Sequence, residues 1–458
     1  MKKDSKVNRG IAIALVVSIL AVGMTVVLYS RGSNLVKRYE VVGAEYPKLA
    51  KNPDGKKYLF GLGYDKDQEK WFENYEKLKG TYVEELHTFV ENTVDTLMPY
   101  SENDNVLYSP SNLYMTMSLL AEIAGGNTRQ QILDAMFVDN IEQVRDNAKM
   151  LWEANYWDDG VTCSILGNSM WLNGEMQYNE DTLDNIKSNY YASVFSGDVK
   201  DKKYEKAMKK WISEQTKGML DNYAEELEMS DCANLVSTIY FNGKWAEEFS
   251  EEDTTEDVFH ANAGDITCKF MHNKEEHTVV CGDKYLAVKL NYKGRGSMVV
   301  ILPDEGFSVK DIMSDKSYLE LFEILSRDRN GNLSEAEYNN RIATKTVNLS
   351  MPKFDVSQSN DIREELMKIG ITDAFDANKA DFSELTSDTQ VYLDQALQAV
   401  RVTTDEKGTE AAAYTFIGLK NGASMPAEEI EFVVDRPFIF AMLDDEVNIN
   451  FMGIVNQP

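Results

Sequence analysis

The sequence predicts an α+β fold, helices packed with β-sheets, on three observations. Val83, Leu86, Val90, Val94 and Leu97 repeat at the helical period. Strand-like runs recur further on, among them Leu235–Trp245, Leu397–Thr404 and a strongly apolar C-terminus. Between the last two lies Glu406 to Thr415, a small-residue stretch that suits two conformations. Read as a strand, Thr409, Ala411, Ala413, Thr415, Ile417 and Leu419 share one face at period two. That face grows from small to large, which would let a strand slide between two others. The plain alternative is an Ala-rich loop or short helix.

With 458 residues, 43% hydrophobic and 27% charged, the chain can bury a large core. A net charge of −29 argues against nucleic acid, which needs an excess of Lys and Arg. The acidic balance points to solubility and some steering of basic partners. Cys163, Cys232, Cys268 and Cys281 show no C-x-x-C spacing, so zinc ribbons and dithiol redox sites are not indicated. They read either as two disulfides or as small buried hydrophobes.

Along the chain, Lys2, Lys3, Lys6 and Arg9 precede a charge-free apolar run, Ile11 to Tyr29. It is long enough to span a bilayer, and the positive flank favours an exported body. Residues 1–30 are therefore expected to be a single-pass signal-anchor, with the body on the extracellular face of the cell membrane. The rival is a cleaved signal peptide, with Ala21 and Gly23 at the cleavage site. Residues 31–80 are polar and turn-rich; Trp71, Tyr75 and Leu78 suggest a short helix. This segment reads as a stalk or as an extension packed on the body. From Thr81 the domain begins, residues 81–458.

Several motifs then occur in a fixed order: Asn105–Leu113, Leu235–Trp245, Leu302–Gly306, Met351–Phe354, Ala380–Ser383, Asp435–Phe440 and Phe451–Val455. With Glu406–Ala413, they resemble the serpin family from about Thr81 to Pro458. The resemblance implies helices around three β-sheets and a reactive-centre loop at about 406–427. It implies a hinge at Glu406, Gly408, Thr409, Glu410, Ala411, Ala412 and Ala413. Counting seventeen residues from Glu406 places the reactive bond at Gly422–Ala423, with Ser424 or Met425 as alternatives. Ser109, Asn112, Ser237, Gln398 and Trp245 fall on the family's shutter and breach positions. In the shutter, Asn112 and Ser237 have exchanged their usual places, and Gln398 stands where the family has histidine. A Ser–Asn hydrogen bond survives such an exchange because both side chains donate and accept. Trp245 needs a partner for its indole N–H.

Ser326–Glu337 is an insertion. Asp328, Asn330, Gly331 and Glu337 fall on EF-hand positions, but Ser326 stands at the first ligand position, and a solvated turn is the expectation. His272 and His277, among only four histidines, read as a solvated hairpin rather than a metal site. H-E-x-x-H, G-x-S-x-G and Walker A are absent, which points away from an enzyme.

The function implied is a suicide inhibitor of a serine or cysteine protease, monomeric, with no cofactor and no metal. Small residues around Gly422 favour an elastase- or subtilisin-like target, since a trypsin-type pocket requires a cation. The other class is a non-inhibitory serpin-like binding protein at the cell surface.

Overall fold

The structure, a computed structural model, describes residues 35–53, 64–78, 82–221, 232–387, 391–393, 396–409 and 428–458. In chain order the first elements are β1 (Glu40–Val42), α1 (Tyr64–Lys77), α2 (Glu84–Leu97), β2 (Val106–Tyr108), α3 (Pro110–Ile123), α4 (Gly126–Met136), α5 (Ile141–Asn155), β3 (Trp157–Asp158), β4 (Cys163–Asn173), α6 (Glu180–Tyr190), β5 (Ala192–Gly197) and α7 (Lys202–Gln215). Then follow β6 (Ala233–Lys244), β7 (Thr255–Ala261), β8 (Gly264–Cys281), β9 (Tyr285–Asn291), β10 (Ser297–Pro303), α8 (Val309–Asp315), α9 (Ser317–Arg329), α10 (Glu335–Asn340), β11 (Ile342–Pro352), β12 (Phe354–Asp361) and α11 (Arg363–Lys368). The chain ends with β13 (Leu397–Thr404), β14 (Gly408–Thr409), β15 (Glu429–Val433), β16 (Phe438–Leu443) and β17 (Ile449–Val455).

The strands form a six-stranded sheet ordered β1-β5-β4-β6-β14 with β3 beside β4, a nine-stranded sheet, and the pair β12-β13. Apolar runs become strands buried on both faces: β10, β16 and β17 are buried at every position. Helix α3 starts with Pro110 at its first position, where no intrahelical N–H is needed. It is buried nearly all round because it lies under the six-stranded sheet. Helix α7 packs on that sheet through an aromatic cluster, with Trp171 stacked on Phe195 at 4.0 Å and Tyr204 donating to the Leu172 carbonyl.

Several sequence expectations change. His272 and His277 lie within the 18-residue strand β8, not in a solvated hairpin. Charge there alternates outward, Lys274 pairing with Glu429, while His277 is buried; a spacing of five puts the two histidines on opposite faces. Ser326 and Asp328 lie inside α9, which continues to Arg329, and the expected solvated turn follows it at Asn330 and Gly331, both exposed. Arg329 extends that helix toward Glu446, its Nη2 2.5 Å from the carboxylate. The side chain of Glu337 lies outside the described residues. The four cysteines are half-buried and no disulfide joins them. Residues 35–53 and α1 do not stand off as a stalk; β1 pairs with β5 and Trp71 donates to Asp159. Among the described residues no helix is long and apolar enough to cross a membrane; Ile11–Tyr29 lies outside them.

Candidate functional site

Strand β6 pairs with β4 through ten consecutive residues, Ala233 to Asn242. Strand β13 pairs with β12 from Leu397 to Thr404. The two meet across a slit instead of a ladder, with Ile239 and Phe241 on one wall and Val400 and Val402 on the other. Met442 and Phe451 of the nine-stranded sheet also line it, as do Thr216 and Leu220 just beyond α7. The open edge leaves β6 half-exposed over Ala233–Ser237, whereas β4 is buried from Ser164 to Leu172.

One end of this slit is already occupied. After β13 the chain turns at Asp405–Lys407 and comes back as β14, antiparallel to β6, with Gly408 opposite Lys244 and Thr409 opposite Gly243. Asp405 makes the turn by accepting the Lys407 N–H at 2.9 Å and bridging to Gly408. Gly408 has φ +148°, and an added Cβ would collide with the Gly243 carbonyl oxygen. Glycine is required there both for its conformation and for the close approach.

Trp245 ends β6 against this turn. Its indole N–H donates to the Asp405 carbonyl at 2.9 Å, its backbone N–H donates to Lys407 O, and its ring stacks on Tyr292 at 4.7 Å. Glu406 is buried below the turn. Its carboxylate accepts from Lys353 Nζ at 2.7 Å and Thr254 Oγ1 at 2.9 Å. Burial alone would raise its pKa, but hydrogen bonds from Lys353, its own backbone and Thr254 outweigh that and hold it below the usual value. Lys407 pairs outward with Glu251. The remaining hinge residues, Glu410 to Ala413, and the Gly422, Ala423, Ser424 and Met425 positions lie outside the described residues.

Midway along β6, Asn112 Nδ2 donates to Ser237 Oγ at 2.9 Å, and Ser237 Oγ donates to Asn168 Oδ1 at 2.8 Å. Asn168 Nδ2 donates to the Tyr190 carbonyl, and Tyr190 hydroxyl donates to Glu122, which holds Arg145 bidentately. Burial, then the Glu122 charge, push the Tyr190 hydroxyl well above its ordinary pKa, so it stays a donor. Gln398 lies outside this chain: its Nε2 reaches the Ser109 carbonyl at 3.4 Å, and Ser109 Oγ donates to Asn450 O at 2.6 Å. Sequence reasoning brought out Asn112 and Ser237 but missed Asn168, Tyr190, Glu122 and Arg145. A lone Asn inside the apolar run of β4 was the available signal. It also missed Lys353 and Thr254, which hold the hinge.

A slit bordered by two strands, with the start of a third already in it, fits only a few folds. A family model described as Serpin (serine protease inhibitor) matches residues 85–458. The chain belongs to the serpin family. An uncharacterized serpin-like protein of Methanosarcina acetivorans is 28% identical over 402 residues, 82% of this chain and 87% of that one. The leukocyte elastase inhibitor of Equus caballus is 29% identical over 389 residues, 80% of this chain and 97% of that one. Among solved structures, thyroxine-binding globulin in complex with thyroxine superposes with TM-score 0.68 at 21% identity, covering 84% of this chain and 100% of the other. That likeness concerns the serpin fold alone. The family is one of protease inhibitors rather than enzymes.

Proposed function

We propose that this serpin inhibits a serine protease as a suicide substrate. The protease cuts the reactive-centre loop and forms an acyl-enzyme. The freed strand then enters the slit between β6 and β13 and carries the protease with it. Loop insertion in this family is an established case of strand addition and switching. The observation that carries the reading is β14: Gly408 and Thr409 already hold the first two places of a strand beside β6. A completed insertion adds a ladder on both sides and fills the slit, so the uncut chain is held by a barrier rather than by depth. Displacing the acyl-enzyme's catalytic groups is enough to stall deacylation, because those groups lose rate steeply when misplaced.

The target is an elastase- or subtilisin-like endopeptidase, the body stands outside the cell on its Ile11–Tyr29 anchor, and the reactive bond is Gly422–Ala423. An SDS-stable complex with such a protease, and a released peptide starting at Ala423 by mass spectrometry, test target and bond together. A peptide starting at Asn421, with trypsin as the best target, refutes the register. Cleavage of the loop by every protease tried, with no complex, leaves the non-inhibitory binding protein as the reading. Recovery of mature protein starting at Met24 in the medium refutes the anchor.

A further inference from the structure

The serpin match begins at residue 85, yet residues 35–53 and α1 are built into the body. We infer that this N-terminal segment is a strap that fastens the six-stranded sheet in its slit-open state and lets go when a strand enters. The inference rests on the insertion reading given above.

The near end of the strap is fixed to the six-stranded sheet. Strand β1 pairs with β5 at the outer edge, Glu40 opposite Phe195 and Val42 opposite Val194. Ser196 N–H donates to Tyr39 O, and Ala44 N–H donates to Ser193 Oγ. The chain then crosses the end of the sheet at β3, where Tyr156 hydroxyl donates to Pro47 O. Asn52 donates to Asp159 through both its backbone and its side chain, and the Trp71 indole donates to the same carboxylate at 2.7 Å.

The far end is fixed to the nine-stranded sheet at Arg295, and Tyr75 is also hydrogen-bonded to Arg329 of α9, which holds Glu446 in the turn between β16 and β17. Arg295, in the turn between β9 and β10, is only 5% exposed. Its guanidinium lies 5.3 Å from the Tyr75 ring and 5.1 Å from the Trp157 ring. Its Nη1 donates to the Leu78 carbonyl at 3.0 Å and its Nε to Asp445 at 2.9 Å. Asp445 belongs to the turn between β16 and β17, and its other oxygen accepts from Gly296 N–H. Arg295 therefore joins α1, Trp157 of the six-stranded sheet and the nine-stranded sheet at one point. A planar guanidinium can stack and donate in this way, and an ammonium cannot.

Insertion moves these parts relative to one another. A strand needs about 4.8 Å of width. The wall formed by β12 and β13 is tied to the nine-stranded sheet, with Leu107 N–H of β2 donating to Gln358 at 2.7 Å. Opening the slit therefore shifts the block β1-β5-β4-β6, with β3, against the nine-stranded sheet. The direct links at this end, Lys293 N–H to Lys244 O and Thr162 Oγ1 to Lys293 O, sit on the same β9–β10 turn. The strap reinforces that turn. Its hydrogen bonds fade within about half an ångström of stretch, so the Tyr75–Arg295–Trp157 stack has to break for the block to travel. The strap thus stabilises the uncut form and contributes nothing once the strand is in.

The test compares the full chain with its W71A/Y75A variant, each intact and after loop cleavage. The variant is expected to lose inhibitory capacity on warming, without cleavage, about tenfold faster, which is about 1.4 kcal/mol of barrier. Its intact form melts at a lower temperature and its cleaved form at the wild-type temperature. An equal fall in both forms, or no change in either, overturns the strap. If the variant does not fold, hydrogen exchange on the wild-type chain decides. Faster exchange in α1 after cleavage supports the strap, and unchanged protection there overturns it. Wild-type melting checks the underlying reading separately: with no gain on cleavage, insertion itself fails, and the strap with it.

Discussion

The nine-stranded and six-stranded sheets are made of similar apolar strands and are left in different states. Strand β16 is buried at every residue and paired on both sides, with β10 and with β17. Strand β6 is paired with β4 along one side, but on the other, among the described residues, it has a sheet partner only at Lys244 and Gly243. An edge of this kind is a template for a further strand. In the closed sheet the ladder is complete and nothing is gained by rearrangement. In the open one, most of a ladder is still to be made, and the guest that makes it is in the same chain. The contrast teaches that the two sheets divide stability and action: one fixes the fold, and the other stores a transition.

Changes at the slit should act on the transition, and changes in the closed sheet on the fold. The largest effect is expected from Thr409→Arg. Thr409 pairs with Gly243 at the second place of the guest strand. A charge carried into the sheet from there costs several kcal/mol if unpaired. The protein should become a substrate, cleaved without a trapped complex, while the melting temperature of the intact form barely changes. An unaltered trapping stoichiometry on gels would contradict the division.

Gly453→Val is the opposite case. An added Cβ at Gly453 would lie 2.7 Å from the Phe440 ring and 2.9 Å from the Val106 carbonyl oxygen. Overpacking of this sort costs about 1–3 kcal/mol. It should lower the melting temperature of intact and cleaved forms alike and leave the stoichiometry alone. If only the intact form is weakened, the nine-stranded sheet takes part in the transition.

Next comes the contact beneath the slit. Asn112→Ser and Ser237→Asn each disturb the chain that runs from Asn112 through Ser237 to Asn168. The pair together restores the common order of the two residue types. A double-mutant cycle on intact protein should show a coupling of about 1 kcal/mol. Strict additivity would mean that the 2.9 Å contact carries no energy of its own.

The sequence made the strands legible where burial is uniform, as in the C-terminal pair β16 and β17, because an apolar run has one interpretation once its length is known. The hinge was legible for another reason: Gly408 and the alanines leave a pattern that a fixed loop does not need. The slit was not legible. Nothing in Val400 or Ile239 says that the two face each other across a gap, since an apolar strand has the same composition whether its neighbour is present or awaited. The docking of α1 was hidden too. Trp71, Tyr75 and Leu78 gave the helix, but its anchor, Arg295, lies more than 200 residues away. The polar stretch around His272 misled because its charges, Lys274 and Glu276 on one face and Glu275 on the other, belong to a long strand that looks like a turn when its partners are unknown.

The smallest effect is expected at the root of the hinge, and pH reads it. Glu406 is held below its ordinary pKa by Lys353, its own backbone and Thr254, against the upward push of burial. A carboxyl depressed in the folded state stabilises that state above its unfolded pKa, and the contribution is lost as pH falls through the folded value. For Glu406 the loss therefore lies below about pH 4.5, where unpaired glutamates are already protonated. Lys353 is one-third exposed, so the ion pair is partly screened and contributes only about 1 kcal/mol or less. The anchored turn is the part of the chain that keeps β14 at the mouth of the slit. Acidification should therefore speed spontaneous insertion of the uncut loop, while Lys353→Met should give the fast rate at neutral pH and remove most of the further acceleration. Rates of capacity loss at pH 7 and pH 4, with and without the substitution, measure this. Equal acceleration by acid in both proteins would assign the pH effect to other carboxylates and leave Glu406 a structural contact only.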